Sequence, residues 1–187
     1  MRKILIIGGG AMGSAFSIPC IDNNHKVFIT EPYSQRFIKN LSSKNKFHSA
    51  LKINLPKKLK FKKYSNELFY EKYDLVVIAL SLTGIEFIAS ELKKFKVKSP
   101  ILVLTKGLKY EKQNKKILTI SQTLLKSFPK LNLSVLKGPC LAKELARKCQ
   151  TSVIIANKNI QIANTFTLYS KSNKKINLPK QYFYCKL

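Results

Sequence analysis

Residues 3–13, KILIIGGGAMG, constrain this chain more than any other stretch. Lys3 to Ile7 reads as a short strand, and its unbroken apolar run is the pattern of a central parallel strand covered on both faces. The glycines that follow form a G-x-G-x-x-G. In such a loop Gly8 permits the tight turn, Gly10 lets backbone approach an anion, and Gly13 lets helix and strand pack closely. Ala11 to Asn23 then reads as a helix whose N-terminus offers unpaired N–H groups and positive potential, the ingredients of a pyrophosphate site. Glu31 stands at the end of the next strand, Lys26 to Thr30, where a carboxylate can accept hydrogen bonds from a ribose 2′-OH.

Further along, a polar helix is expected around Ser34 to Leu41, followed by a lysine-rich stretch from Lys44 to Lys63 that contains no acid and reads as loop with one short strand. Strands are expected at Asp74 to Leu80, Ile101 to Leu104, Leu133 to Leu136 and Ser152 to Ala156. Helices are expected at Gly84 to Leu92, Ile117 to Phe128 and Leu141 to Arg147. Strands separated by helices imply right-handed crossovers. The expected fold is therefore α/β, a Rossmann-like doubly wound, mostly parallel sheet. It should occupy residues 1–169 as one dinucleotide-binding domain, with residues 170–187 an unstructured or incomplete tail in which periodicity gives way to lysine, asparagine and proline.

Two further segments place chemistry at the same end of the sheet. Thr105-Lys106-Gly107 directly follows the strand ILVL, so Lys106 falls at the carboxyl end of a parallel strand, where open α/β sheets bind ligands. A lysine there holds a phosphorylated or carbonyl substrate by point charge. Gly138-Pro139-Cys140-Leu141-Ala142-Lys143-Glu144 follows another strand and opens a helix, with the proline expected at its first position. No histidine stands at catalytic spacing from Cys140, so a lining role outranks a nucleophilic one.

Taken in order, IIGGGAMGSAF, DLVVIAL, ILVLTKGL and LKGPCLAKELA resemble the NAD(P)-dependent glycerol-3-phosphate dehydrogenases, to about Tyr169. The glycine motif is shared with ketopantoate reductases and other β-hydroxyacid-type dehydrogenases, whereas T-K-G with a later G-P-x-x-A-K-E is far more specific. The resemblance implies hydride transfer between a nicotinamide cofactor and dihydroxyacetone phosphate or glycerol 3-phosphate, in the service of phospholipid synthesis. It implies that Lys106 is catalytic and touches both substrate and cofactor, and that Gly138 and Cys140 line the substrate pocket. Ala142 would touch cofactor through its backbone, and Ala11 and Met12 would join Gly8, Gly10 and Gly13 in the pyrophosphate loop. The chain departs from that family at Lys137, Cys140 and Leu141 and at Leu80-Ser81-Leu82, and it has no counterpart of the G-x-x-x-K-N-like segment that supplies the family's principal lysine. It is accordingly expected to be the cofactor-binding half of such an enzyme. Glu31 would repel a 2′-phosphate, which favours NAD while leaving NADP open.

Composition narrows the partners. The 187 residues carry 35 Lys+Arg against 9 Asp+Glu, a net charge of +26. Only Arg2, Arg36 and Arg147 are arginines, and nucleic-acid readers favour the arginine fork, so a solvated basic surface is expected rather than a specific nucleic-acid site. No apolar run approaches the roughly 20 residues needed to span a bilayer. Cys20, Cys140, Cys149 and Cys185 form no C-x-x-C pair, which argues against metal and against a disulfide framework. A small-molecule substrate and a reduced, cytoplasmic setting fit best, with homo-oligomerisation left open. Beside the dehydrogenase readings stands one of another class, a non-catalytic dinucleotide or polyanion binder.

Overall fold

A computed structural model of the chain describes residues 1–41, 45–149, 151, 153–159 and 161–162. In chain order its elements are β1 (Lys3–Ile7), α1 (Ala11–Asp22), β2 (Lys26–Thr30), α2 (Gln35–Leu41), β3 (Phe47–His48), β4 (Ile53–Asn54), β5 (Lys60–Phe61), α3 (Glu67–Tyr70), β6 (Leu75–Ile78), α4 (Ile85–Lys94), β7 (Ile101–Val103), β8 (Leu108–Glu111), β9 (Lys116–Thr119), α5 (Ile120–Ser127), β10 (Leu133–Lys137), α6 (Ala142–Ala146) and β11 (Ile154–Ala156). A 3₁₀ turn, Leu82–Gly84, leads into α4.

Seven strands form one sheet in the order β11-β10-β7-β6-β1-β2-β5. Every neighbouring pair is parallel except β10 and β11, so the fold is Rossmann-like and mostly parallel. Chain direction across the sheet reverses between β1 and β6, and the loops that leave these two strands diverge to opposite faces and open a crevice. The apolar runs explain the layering. Ile4, Ile6, Val27, Ile29 and Val77 pack with α1 on one face. Leu5, Ile7, Val76 and Ile78 pack with Ile85, Ile88 and Leu92 of α4 and Leu124 of α5 on the other. Burying one such side chain contributes about 1.5–3 kcal/mol, and trimming Ile29 to alanine would cost about 2–5 kcal/mol.

α1 has no polar face because it is enclosed. Gly13 to Ile21 are all buried, with the sheet on one side and α6 on another. The helix runs through Pro19 and ends where the Asn23 N–H reaches the Pro19 carbonyl at 3.1 Å. Asn24 then takes the left-handed conformation, which asparagine tolerates, with φ 58°.

Several expectations are corrected. The segment 117–128 does not begin as helix, since 116–119 is a strand paired with Leu108–Glu111 in a separate hairpin, and α5 starts at Ile120. Where one short strand was expected over Lys44 to Lys63, the described residues 45–63 contain three. Pro139 is not the first residue of a helix, because Leu141 caps α6 and Pro139 lies in the preceding turn. The short helix α3 was not anticipated. The boundary expected at residue 169 and the tail 170–187 lie outside the described residues.

Candidate active site

The glycine loop occupies the turn between β1 and α1, and each glycine has a different reason to be one. A Cβ on Gly8 would sit 2.5 Å from the Ala79 carbonyl oxygen at the end of β6, and Gly8 has φ +116°. A Cβ on Gly13 would sit 2.1 Å from the Gly8 oxygen, so both positions are dictated by close packing of strand ends and helix. Gly10 is different. It caps α1, it is exposed, and a Cβ there would meet nothing within 4 Å. The protein leaves this space open at a helix N-terminus whose first turn contains no acid, the setting in which an anion is stabilised by N–H groups and the helix dipole. The pyrophosphate of a dinucleotide fits that space.

Glu31 turns back onto the loop. One carboxylate oxygen accepts the Gly9 N–H at 2.9 Å and the other accepts the Tyr33 N–H at 3.1 Å. The acid expected at the end of β2 is thus brought against the glycine loop.

Lys106 emerges from the end of β7 into a crevice of about 300 Å³ lined by Met12, Leu80, Ser81, Thr105, Cys140 and Ala142, among others. Its ammonium lies 3.3 Å from the Cys140 carbonyl oxygen and 3.5 Å from that of Gly138. Lys106, Gly138 and Cys140, far apart in sequence, are therefore adjacent. The Cys140 thiol is buried, and burial pushes its pKa up, against smaller lowering effects from Thr151 and Lys106. Burial thus favours the thiol form, and Cys140 forms part of the crevice wall. Ala11 lines a neighbouring hollow with Ser49, Ala50 and Lys52, which shares Leu141 and Ala142 with the crevice. Leu141, 59% exposed, stands between the two.

Two residues of the site, Ser14 and His48, escaped sequence reasoning, and Thr105 was read only as part of the T-K-G motif, with no task of its own. Ser14 donates its hydroxyl to the Gly9 carbonyl at 2.8 Å, and His48 places Nε2 3.2 Å from the same oxygen. Thr105 donates to the Leu80 carbonyl at 2.8 Å. A polar residue directly after a glycine motif was a usable signal for Ser14, but nothing local points to His48. Among the described residues no cluster of three or more His, Cys, Asp or Glu could hold a metal ion, and no helix is long and apolar enough to cross a membrane.

Fold and loop together define a dinucleotide-binding domain of the Rossmann type. Residues 3–163 match the model of the N-terminal domain of NAD-dependent glycerol-3-phosphate dehydrogenase, and the chain belongs to that family. The match chooses between the dehydrogenase families that the glycine motif alone left open. The chain is 28% identical over 165 residues to an NADP(+)-dependent glycerol-3-phosphate dehydrogenase of Archaeoglobus fulgidus, covering 86% of this chain and 48% of that protein. It is 28% identical over 170 residues to a glycerol-3-phosphate dehydrogenase [NAD(P)+] of Bacillus pumilus, covering 87% and 47%. The crystal structure of glycerol-3-phosphate dehydrogenase from Coxiella burnetii shares the fold, with a TM-score of 0.78 at 19% identity over 92% of this chain and 52% of the other. The chain spans about half the length of the curated relatives it matches.

Proposed function

We propose that the chain, as one dinucleotide-binding domain over residues 1–169, is the cofactor half of an oxidoreductase acting on dihydroxyacetone phosphate and glycerol 3-phosphate in the cytoplasm. The observation that carries this reading is the open space at Gly10, at the N-terminus of α1 and beside the crevice that holds Lys106. A nicotinamide dinucleotide, when bound, supplies or accepts the hydride. The residues divide the remaining work. Gly8, Gly10, Ala11, Met12 and Gly13 cradle the pyrophosphate, with Gly8 and Gly13 bringing strand and helix close enough for the α1 N–H groups to face it. Glu31 accepts from the ribose diol, which makes NAD the preferred cofactor over NADP. Ala142 meets the cofactor across the crevice through its backbone.

Lys106 holds the substrate. Two carbonyls already orient its ammonium, so a phosphate or a polarised carbonyl oxygen in the crevice finds a cation whose position is set in advance. A preorganised donor facing a developing alkoxide is worth about 3–4 kcal/mol. Gly138 and Cys140 shape the pocket beside it. Over its described residues the chain leaves the crevice open to water, with Leu141 exposed beside it, so in these residues alone the positioning contribution, up to about 7–11 kcal/mol, is mostly unrealised. Binding with little turnover is expected of it.

Saturation-transfer NMR with dihydroxyacetone phosphate in the presence of NADH tests this reading. Transfer should be seen with the wild-type chain and lost in Lys106→Ala. Equal transfer to both would remove Lys106 from the substrate site, and ketopantoate accepted in its place would move the activity to the other dehydrogenase class.

A further inference from the structure

His48 is 1% exposed, in a stretch otherwise crowded with exposed lysines, and it lies against the glycine loop. Its ring is fixed on two sides. The Leu51 N–H lies 3.3 Å from Nδ1, and a backbone N–H can only donate, so Nδ1 is the acceptor and the ring proton sits on Nε2. Nε2 therefore donates to the Gly9 carbonyl at 3.2 Å. Phe37 packs its ring edge-on against the imidazole, with centroids 5.7 Å apart, and also closes the space where a Gly9 side chain would go.

Gly9 is thus held from three elements. Glu31 after β2 accepts its N–H, while Ser14 of α1 and His48 of β3 donate to its carbonyl. The consequence follows from peptide geometry. Across a planar trans peptide the carbonyl of one residue and the N–H of the next point in opposite directions, and the described chain has no cis peptide bond. Two donors that pull the Gly9 carbonyl inward must turn the Gly10 N–H outward, toward the open space at the start of α1. A flipped Gly9–Gly10 peptide would instead present a carbonyl oxygen to an incoming anion.

We propose that His48 is a positioning residue for dinucleotide binding: by donating Nε2–H to the Gly9 carbonyl it holds the Gly9–Gly10 peptide in the orientation that offers the Gly10 N–H to the pyrophosphate. The inference rests on the cofactor reading given above. It also assigns a task to the β3–β4 hairpin, which carries His48 to the loop and whose Leu51 N–H, at the turn, sets the tautomer.

The test compares the wild-type chain with His48→Leu, which removes both ring nitrogens, and His48→Gln, whose amide can donate to Gly9 and accept from Leu51. NADH affinity is measured by fluorescence, and the Gly10 amide resonance is followed by ¹⁵N NMR without ligand. His48→Leu should bind NADH about tenfold more weakly and shift the Gly10 amide, while His48→Gln restores both to near the wild-type values. Unchanged affinity and an unchanged Gly10 amide in His48→Leu would overturn the proposal, as would failure of His48→Gln to restore either. The ring ¹⁵N shifts of the wild-type protein give a check that needs no variant to fold: Nε2–H supports the proposal, and Nδ1–H refutes it. Should the wild type itself not bind NADH, the cofactor reading fails, a result separable from the amide and tautomer measurements.

Discussion

The Thr105 hydroxyl donates to the Leu80 carbonyl across 2.8 Å, joining the loops that leave β7 and β6 and fixing where Lys106 enters the crevice. Thr105 is buried, so losing the hydroxyl would leave the Leu80 carbonyl without that donor. Thr105→Val should cost about 1–3 kcal/mol in urea unfolding, and Thr105→Ser should recover most of it. A neutral Thr105→Val would show that backbone alone holds the two loops together.

Gly10 and Gly13 should respond oppositely to the same substitution. Gly13→Ala forces a methyl group to within 2.1 Å of the Gly8 oxygen, and neither strand nor helix can yield cheaply. It should lower the melting temperature sharply, in the manner of an overpacked core, about 1–3 kcal/mol or more. Gly10→Ala meets open space and should melt with the wild type. Circular dichroism melts of the two variants decide this.

The Glu31 carboxylate should make NADH bind more tightly than NADPH, by about 1–3 kcal/mol, through hydrogen bonds to the ribose diol and repulsion of the extra phosphate. With a net charge of +26, lysines attract NADPH without specificity at low salt, so the comparison belongs at or above physiological ionic strength. A persistent NADPH preference there would take Glu31 out of the ribose site and leave it a structural role, accepting the Gly9 and Tyr33 N–H groups.

At the opposite end of the sheet, acid should loosen the fold through Glu71. Burial raises this carboxyl, but hydrogen bonds from Lys3 at the start of β1 and from Lys62 after β5 outweigh burial and bring the pKa down to about 2. A depressed carboxyl stabilises above its unfolded pKa and loses that contribution as pH falls through the folded one. The loss should therefore run from about pH 5 to pH 2. Asp74 moves the same way, held low by the Lys3 N–H first and by Arg2. Both pairs are partly exposed, so solvent screening limits Glu71 to about 1 kcal/mol. Glu71→Gln should flatten the stability profile between those pH values, and an unaltered profile would remove the pair from the acid response.

The parts of the fold legible in sequence are those whose signal is local. β1 and β2 fall at the expected residues because a strand buried on both faces is a continuous apolar run. The β8–β9 hairpin was illegible for two physical reasons. Its turn has no glycine, since Lys115 itself takes the left-handed conformation, as Lys46, Lys52, Lys96 and Lys148 do elsewhere. Its apolar residues also face outward, with Leu108, Tyr110 and Ile117 exposed by 60%, 57% and 65%, so Ile117 reads as part of the helical repeat that follows. A Thr119–Gln122 capping box marks the true start of α5 and could have corrected the boundary. The positions of the glycine loop, between β1 and α1, and of Lys106, after β7, were legible from strand-loop context. His48 was not, because its significance lies in a carbonyl 39 residues away.

If the Gly8–Gly13 loop holds the cofactor's pyrophosphate, as proposed above, a carboxylate at Gly10 should block binding. The test is to titrate NADH into the wild-type chain and into Gly10→Asp, at physiological ionic strength and with nicotinamide fluorescence as the signal. Because Gly10 faces open space, the aspartate should leave the melting temperature unchanged while placing a carboxylate where the pyrophosphate would lie. Saturable binding by the wild type and its loss in Gly10→Asp is the expected result. Equal affinity in two equally folded proteins would contradict it.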